Sequence, residues 1–244
     1  MGCVFLMKKE IETRIYRREK CAVFRKTKEK FGGLSNMAGG YPIVVKLPSN
    51  NTVEIRTSEA LYQACRFPNH PDVQKLIINQ ASPMTAKMES KPYRKDSRPD
   101  WDNVRIRIMR WCLRVKLVCN WDTFSELLLD TGDRPIVEDS HKDSFWGAKP
   151  SSNGDALVGK NVLGRLLMEL REEVRQKGDS AFQKVEAPNI KNFLLFGEQI
   201  VEVRAADAAR DENAAKESEA KEETETVEQP AQQSTEEPKQ RKLF

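Results

Sequence analysis

Apolar residues recur every three to four positions over several stretches, the spacing that places them on one face of an α-helix. The longest stretch, Trp101–Cys119, has an apolar stripe on one side and basic residues on the other. The stripe consists of Ile106, Met109, Leu113 and Leu117, and the basic face of Arg105, Arg107, Arg110, Arg114 and Lys116. A second long helix is predicted over Val162–Gln176, and shorter ones over Glu59–Arg66, Asp72–Gln80, Pro83–Ser90 and Thr123–Asp130.

Short runs of β-branched and aromatic residues, bounded by turn residues, predict strands. They occupy Ala22–Lys26, Ile43–Leu47, Thr52–Ile55 and Pro135–Asp139, and the apolar segment Asn192–Ile200 is predicted to pack on the domain edge as a further strand. A few short strands among many helices predict a compact, mainly α-helical α+β domain.

The composition changes at residue 205. Residues 205–244 are mainly Ala, Glu, Gln, Thr and Lys and offer too little apolar surface to fold, so they predict a disordered tail. We expect an N-terminal extension (1–18), a globular domain (19–204) and this acidic tail (205–244). The tail holds 11 acidic and 6 basic side chains, which leaves 26 acidic and 35 basic in residues 1–204. The basic domain is compatible with polyanionic partners.

Cysteine, histidine and apolar content argue against several classes of protein. The five cysteines lack a C-x-x-C pair and fit neither a disulfide framework nor a zinc site. The two histidines, His70 and His141, offer little basis for a catalytic metal, and we expect no cofactor. No window is apolar enough to span a membrane, and the start of the chain does not resemble a signal peptide. We therefore expect a cytoplasmic protein with no membrane partner.

The run Glu138–Gly147 offers the densest chemistry, because it leads into a glycine-bearing segment that opens the last helix. Asp143, Trp146 and the backbone amides of Gly159–Asn161 would together suit a sugar phosphate. The other charged residues of the run are assigned scaffold or solvent roles: Glu138, Asp139, His141 and Lys142.

Glu59 is a second candidate, and it shares a helix face with Gln63. Both candidate carboxylates also have simpler structural explanations. Glu59 would be favoured at a helix N-terminus by the helix dipole alone, and Asp143 could be a turn residue.

A set of motifs in a fixed order connects these candidates. The first are Leu34-Ser35-Asn36, Ser58-Glu59-x-x-Tyr62-Gln63-Ala64 and Ser82-Pro83-Met84. The later ones are Trp101 through Met109 to Lys116, then Asp143-Ser144-Phe145-Trp146-Gly147, then Lys160-Asn161-x-Leu163-Gly164-x-Leu166-Leu167-Met168-x-Leu170-Arg171. In order and spacing they resemble the NADAR (YbiA-like) superfamily over about residues 22–176.

The resemblance implies an α+β domain with N-glycosidase activity, that is, hydrolysis of a bond between ribose C1 and a nitrogen. Some members act on early riboflavin-pathway intermediates, and others remove ADP-ribose from guanine in DNA, which reverses a toxin's modification. The partner would then be ADP-ribosylated DNA or a ribosyl-phosphate small molecule. A non-catalytic module that binds ADP-ribose or NAD is the alternative, and the presence of Glu59, Asp143 and Trp146 speaks against it.

Cleavage of a ribosyl C–N bond develops positive charge on the sugar, which a nearby carboxylate stabilises. It also needs a proton for the departing nitrogen and a nucleophile. Glu59 and Asp143 are the predicted carboxylates, one for the charge and one to activate water. A lysine amine could instead form a Schiff base with the opened ribose, with Lys116 as the first candidate and Lys87 as the second.

The candidate substrate-binding residues are Asn36, Gln63, Trp101, Trp146, Gly147 and Asn161. Trp146 is expected to stack on the base or border the sugar, and the amides to bond ribose hydroxyls or phosphate. One departure from the family pattern is Ala60, where riboflavin-type members would carry a histidine. This departure favours the ADP-ribosyl branch.

The tail carries Gln240, Leu243 and Phe244 in a Q-x-x-L-F pattern. This resembles the short peptide with which bacterial DNA-repair proteins bind the replication sliding clamp, although a pattern with three fixed positions also arises often by chance. A flexible tether with such a peptide would raise the concentration of an enzyme near DNA. The sequence therefore predicts the replication sliding clamp as a partner.

Overall fold

The computed structural model describes residues 11–208 of the chain, where six α-helices organise residues 11–204 and residues 205–208 form a further helical turn. They are α1 (Ser58–Ala64), α2 (Pro71–Ile78), α3 (Pro83–Glu89), α4 (Trp101–Cys119), α5 (Trp121–Asp130) and α6 (Val162–Lys177). Each was predicted from apolar spacing, and the observed ends differ from the predicted ones by no more than two residues.

Eleven short strands complete the described part and confirm the predicted α+β class. They are β1 (Arg14–Arg17), β2 (Ala22–Phe24), β3 (Ile43–Lys46), β4 (Thr52–Ile55), β5 (Ile136–Glu138), β6 (Lys149–Pro150), β7 (Ala156–Gly159), β8 (Lys184–Glu186), β9 (Leu194–Leu195), β10 (Glu198–Gln199) and β11 (Glu202–Arg204). β2 and β5 pair in parallel, while β3–β4, β8–β11, β9–β10 and the sheet β1–β7–β6 are antiparallel.

Helix α4 contributes more buried side chains to the core than any other helix described, and it contacts α1, α5 and α6. Its buried surface is wider than the predicted stripe, because Trp111 and Val115 are also buried. Lys116, which the periodicity placed on the basic face, is buried as well, so that assignment was wrong. A helix packed on several sides buries residues that a one-sided stripe would leave in water.

Local signals explain where α1, α3 and α6 begin and end. The side chain of Thr57 accepts a hydrogen bond from the backbone N–H of Ala60, and Ser82 does the same for Thr85, so each caps its helix. Helix α6 ends at Gly178, whose φ of 65° favours glycine.

Two segments depart from the sequence-based expectation. Asn192–Ile200 is a tight hairpin of β9 and β10 rather than one strand, since Phe196 and Gly197 adopt φ of 53° and 88° and reverse the chain. Arg14–Arg17, within the expected N-terminal extension, pairs with β7 as an edge strand. The extension's first ten residues and residues 209–244, with Gln240, Leu243 and Phe244, lie outside the described residues.

Residues 11–208 also bear on the expectations about membrane spans and cysteines. No helix in this range is long and apolar enough to cross a membrane. The four cysteines in the range are free thiols, and Cys65 and Cys112 are buried.

Candidate active site

A cavity of about 240 Å³ opens between α1, α3, α4 and the carboxyl end of β5. Its walls combine carboxyl groups, cations and aromatic rings. The carboxyl groups belong to Glu59, Glu138 and Asp143, the cations to Arg66, Lys87, Arg94 and Arg105, and the rings to Tyr62, Trp101 and Trp146. Ser35, Asn36, Met37, Gln63, Met109, Ser140 and Leu163 complete the lining.

Glu59 lies in the first turn of α1 and is only 6% exposed. Its Oε1 accepts a hydrogen bond of 2.9 Å from Gln63 Nε2, as the four-residue spacing suggested. The Nζ of Lys87, from α3, lies 3.8 Å from the same oxygen. Ser90 Oγ donates to Gln63 Oε1 at 3.2 Å, which orients the amide. These contacts hold a buried carboxylate in one position.

Asp143 serves both as a turn residue and as a cavity carboxylate. Its Oδ1 accepts hydrogen bonds from the backbone N–H groups of Phe145 (2.8 Å) and Trp146 (3.0 Å). Its Oδ2 accepts none from the residues described. The turn therefore places Trp146 in the wall and leaves one carboxylate oxygen available to a ligand.

Glu138 ends β5 and lines the cavity, a position that the sequence analysis did not predict for it. The pKa of its carboxyl group is raised to about 7, mainly by burial and also by the nearby charges of Glu59 and Asp143, against the opposing effect of Lys87. One signal could have identified it, because ligands in α/β proteins often bind at the carboxyl ends of parallel strands. β5 is such a strand, although its parallel partner β2 is distant in sequence.

Aromatic rings form one side of the cavity. Tyr62 packs against Trp101 and Trp146, with ring centroids 5.0 and 5.7 Å apart. The guanidinium of Arg66 lies 5.0 Å from the Trp101 ring, and that of Arg105 lies 4.0 Å from the Phe145 ring. The arginines are thereby held beside the aromatic wall.

Lys116, the first candidate amine, does not line the cavity. Its Nζ is buried and donates hydrogen bonds to the carbonyl oxygens of Gly33 (2.5 Å) and Ser35 (3.2 Å), over the rings of Tyr41 and Phe124. Burial lowers the pKa of this amine to about 7. In contrast to the expected catalytic position, the structure places this amine outside the cavity, where it holds the turn that leads to the cavity wall at Ser35. Lys87 is the candidate lysine that reaches the cavity.

Asn161 and Gly147 also support the cavity without lining it. Asn161 is fully buried; its Nδ2 donates to the carbonyl of Ile136 and its Oδ1 accepts from the N–H of Glu138. A Cβ on Gly147 would lie 2.6 Å from the Glu138 carbonyl oxygen. Their predicted substrate contacts were therefore wrong, since packing around β5 encloses both.

The expected phosphate site at the start of α6 is also absent from the described structure. The backbone N–H groups of residues 160–163 donate to the carbonyl oxygens of residues 144–147, at 2.7 to 3.0 Å. These amides cannot also hold a phosphate. They instead fasten the loop that carries Asp143 and Trp146.

Position 60 does not contact the cavity either. Ala60 is 3% exposed and belongs to the hydrophobic core, whereas Glu59 beside it faces the cavity. The structure therefore places Ala60 in the core and not among the residues that line the cavity. Among residues 11–208, no group of three or more His, Cys, Asp or Glu could hold a metal ion.

Comparisons with known proteins show which family and which relatives the chain resembles. Residues 23–175 match the model of the NADAR domain family. The N-glycosidase YbiA of Escherichia coli is 34% identical over 151 residues, which cover 62% of this chain and 86% of that protein. An N-glycosidase of Nostoc punctiforme is 39% identical over 121 residues, covering 49% of this chain and 74% of that protein.

A riboflavin biosynthesis protein of Vibrio vulnificus is 37% identical over 120 residues, 49% of this chain, and the match spans only 31% of that larger protein. The solution NMR structure of E. coli YbiA superimposes with a TM-score of 0.51 at 30% identity, and covers 66% of this chain and 92% of that one. The family match covers more than half of the chain, and the fold of a solved relative agrees with it. The chain therefore belongs to the NADAR family.

Proposed function

We propose that the protein is an N-glycosidase that hydrolyses the bond between C1 of a phosphorylated ribose and a nitrogen, and that its substrate is ADP-ribose linked to guanine in DNA. The observation that carries the proposal is the cavity itself, where three carboxyl groups face four cations beside aromatic rings. The N-glycosidase names of two relatives support the reaction type.

The chemistry follows from the charge that the reaction develops. As the C1–N bond breaks, the ribose becomes positively charged, and a fixed carboxylate near C1 stabilises it. Glu59 suits this role because Gln63 and Lys87 hold it in place. Asp143, with one oxygen free of hydrogen bonds from the described residues, suits the activation of water.

Lys87 offers a second route. Its amine would attack C1 as the base departs, and the opened sugar would form a Schiff base that water later hydrolyses. Borohydride added during turnover would trap this adduct on the wild-type protein and not on Lys87→Ala. A wild-type protein that turns over substrate without a trapped adduct would leave direct attack by water as the route.

DNA is favoured over a small monophosphate by the number of cations. Arginine and lysine bind phosphate oxygens through charge-assisted hydrogen bonds, and four such groups line the cavity. ADP-ribose supplies two phosphates and DNA supplies more. A cavity of about 240 Å³ is smaller than most ligand pockets, so part of a nucleotide-sized substrate would lie outside it.

The second candidate substrate is an N-glycoside of the riboflavin pathway, which the name of the Vibrio relative supports. One experiment distinguishes between the two candidate substrates. The protein is incubated with an oligonucleotide that carries ADP-ribosyl-guanine, and separately with the riboflavin intermediate, and released ADP-ribose or ribose 5-phosphate is measured. We expect release from the oligonucleotide; release from the intermediate alone would reassign the substrate, and release from neither would refute the enzyme.

Matched variants link the activity to the cavity. Glu59→Gln is expected to lower turnover about 100-fold or more, because it removes the stabilising charge. The exposed Glu54, on β4, offers the control Glu54→Gln, which should retain full turnover.

We also propose the replication sliding clamp as a partner, on the basis of Gln240, Leu243 and Phe244. Deletion of Leu243 and Phe244 should abolish clamp binding and leave turnover of a short oligonucleotide unchanged. Equal clamp binding by the truncated protein would remove this partner.

A further inference from the structure

Glu138 differs from the other two carboxyl groups of the cavity in its bonding. Glu59 accepts a hydrogen bond from Gln63, and Asp143 accepts two from backbone amides. No hydrogen bond or ion pair within residues 11–208 holds the carboxyl group of Glu138, although the residue is half-buried. Because Glu138 lines the cavity and remains partly exposed, its carboxyl group is available to a ligand there.

The backbone of Glu138 is nevertheless firmly held. Its N–H donates to Asn161 Oδ1 at 3.2 Å, and its carbonyl accepts from the N–H of Ala148 at 2.8 Å. Pairing with Phe24 in β2 adds a third restraint. The protein therefore holds the backbone of Glu138 in place at the cavity, and its carboxyl group is left without a partner within residues 11–208.

The surroundings of Glu138 differ from those of Glu59. Lys87 lies 3.8 Å from Glu59 Oε1 and forms an ion pair with it, whereas no ion pair within residues 11–208 involves Glu138. Burial favours the neutral form of Glu138, and the negative charges of Glu59 and Asp143 act in the same direction, consistent with its raised pKa. The other charged groups that line the cavity are Arg66, Lys87, Arg94 and Arg105.

We propose that Glu138 is the general acid that protonates the departing nitrogen, an inference that rests on the proposed N-glycosidase function. The proton of its carboxyl group moves to the nitrogen as the C1–N bond breaks, and the bonding electron pair stays with the nitrogen. Water adds to C1 and gives its proton to Asp143, and exchange with solvent restores both carboxyl groups. Two carboxyl groups in different environments thus divide the acid and base roles.

The first test varies the leaving group. Glu138→Gln should lower kcat/KM on ADP-ribosyl-guanine by about 100-fold to 10,000-fold. The second substrate is a nitrophenyl ribofuranoside 5-phosphate, whose nitrophenyl group departs as a stable phenolate and needs no proton. On this substrate kcat/KM of the variant should fall by less than about 10-fold. Glu54→Gln is the control and should match the wild type on both substrates. Equal losses on both substrates in a folded Glu138→Gln protein would overturn the acid role.

The second test does not depend on turnover. Carbon-13 NMR of glutamate-labelled protein follows the ionisation of Glu138, whose signal is assigned by its disappearance in Glu138→Gln. We expect ionisation close to neutral pH, and ionisation in the same range as Glu54 would overturn the proposal. Wild-type protein that cleaves no N-glycoside would refute the proposed function instead, so the two failures are distinguishable.

Discussion

Replacing Lys116 with methionine is expected to change how stability depends on pH. The amine is fully buried, its hydrogen bonds go to two backbone carbonyls, and its pKa falls from 10.5 in the unfolded chain to about 7. No carboxylate of the described residues forms an ion pair with it, so no opposite charge offsets the cost of burying the ammonium group. Methionine has a similar length and removes the charge.

The sign and size of the expected change in stability with pH follow from proton linkage. The folded pKa lies below the unfolded one, so the unfolded chain binds more protons between the two values and the free energy of unfolding rises with pH in that window. Between about pH 7 and about pH 9, wild-type protein should gain about 2 kcal/mol from this residue. Lys116→Met lacks this gain, so its stability relative to wild type should fall by the same amount.

Urea denaturation of both proteins at the two pH values measures this difference, and other titrating groups cancel in it. The exposed Lys46, on β3, provides the control Lys46→Met, whose stability relative to wild type should not change with pH. A difference between Lys116→Met and wild type that is independent of pH would refute the reasoning, because it would mean that Lys116 titrates alike in the folded and unfolded states. A difference of opposite sign would refute it equally.

Two further predictions concern the supports of the cavity. Gly164→Ala places a Cβ 2.1 Å from the Ile136 carbonyl oxygen and should destabilise the protein by about 3 kcal/mol in thermal unfolding. The control Gly39→Ala, with open space around the new Cβ, should change stability by no more than about 1 kcal/mol. Similar melting temperatures of the two variants would contradict the packing argument. In Asp143→Asn the side-chain oxygen can still accept hydrogen bonds from two backbone amides, but the negative charge is lost. This variant should therefore melt like wild type and lose about 100-fold or more in turnover. Full activity would exclude Asp143 from the chemistry.

The fold was largely predictable because its signals are local. Spacing of apolar residues located α4 and α6. Strand β1 escaped prediction because it is exposed on its outer side and acquires its structure from β7, far along the chain. The hairpin at residues 194–199 escaped it because Phe196, a residue that rarely adopts positive φ, forms part of the turn.

The sequence by itself determined the family and those site residues whose geometry is local, such as Glu59 with Gln63 one helical turn away, and Asp143 with Trp146 in one turn. Only the tertiary structure decided that Lys116 is buried away from the cavity, that the amides at the start of α6 are occupied, and that Glu138 faces Glu59. The physical reason is distance along the chain. Helical periodicity relates residues three or four apart, whereas the burial and charge that set a carboxyl group's ionisation come from segments that only folding brings together.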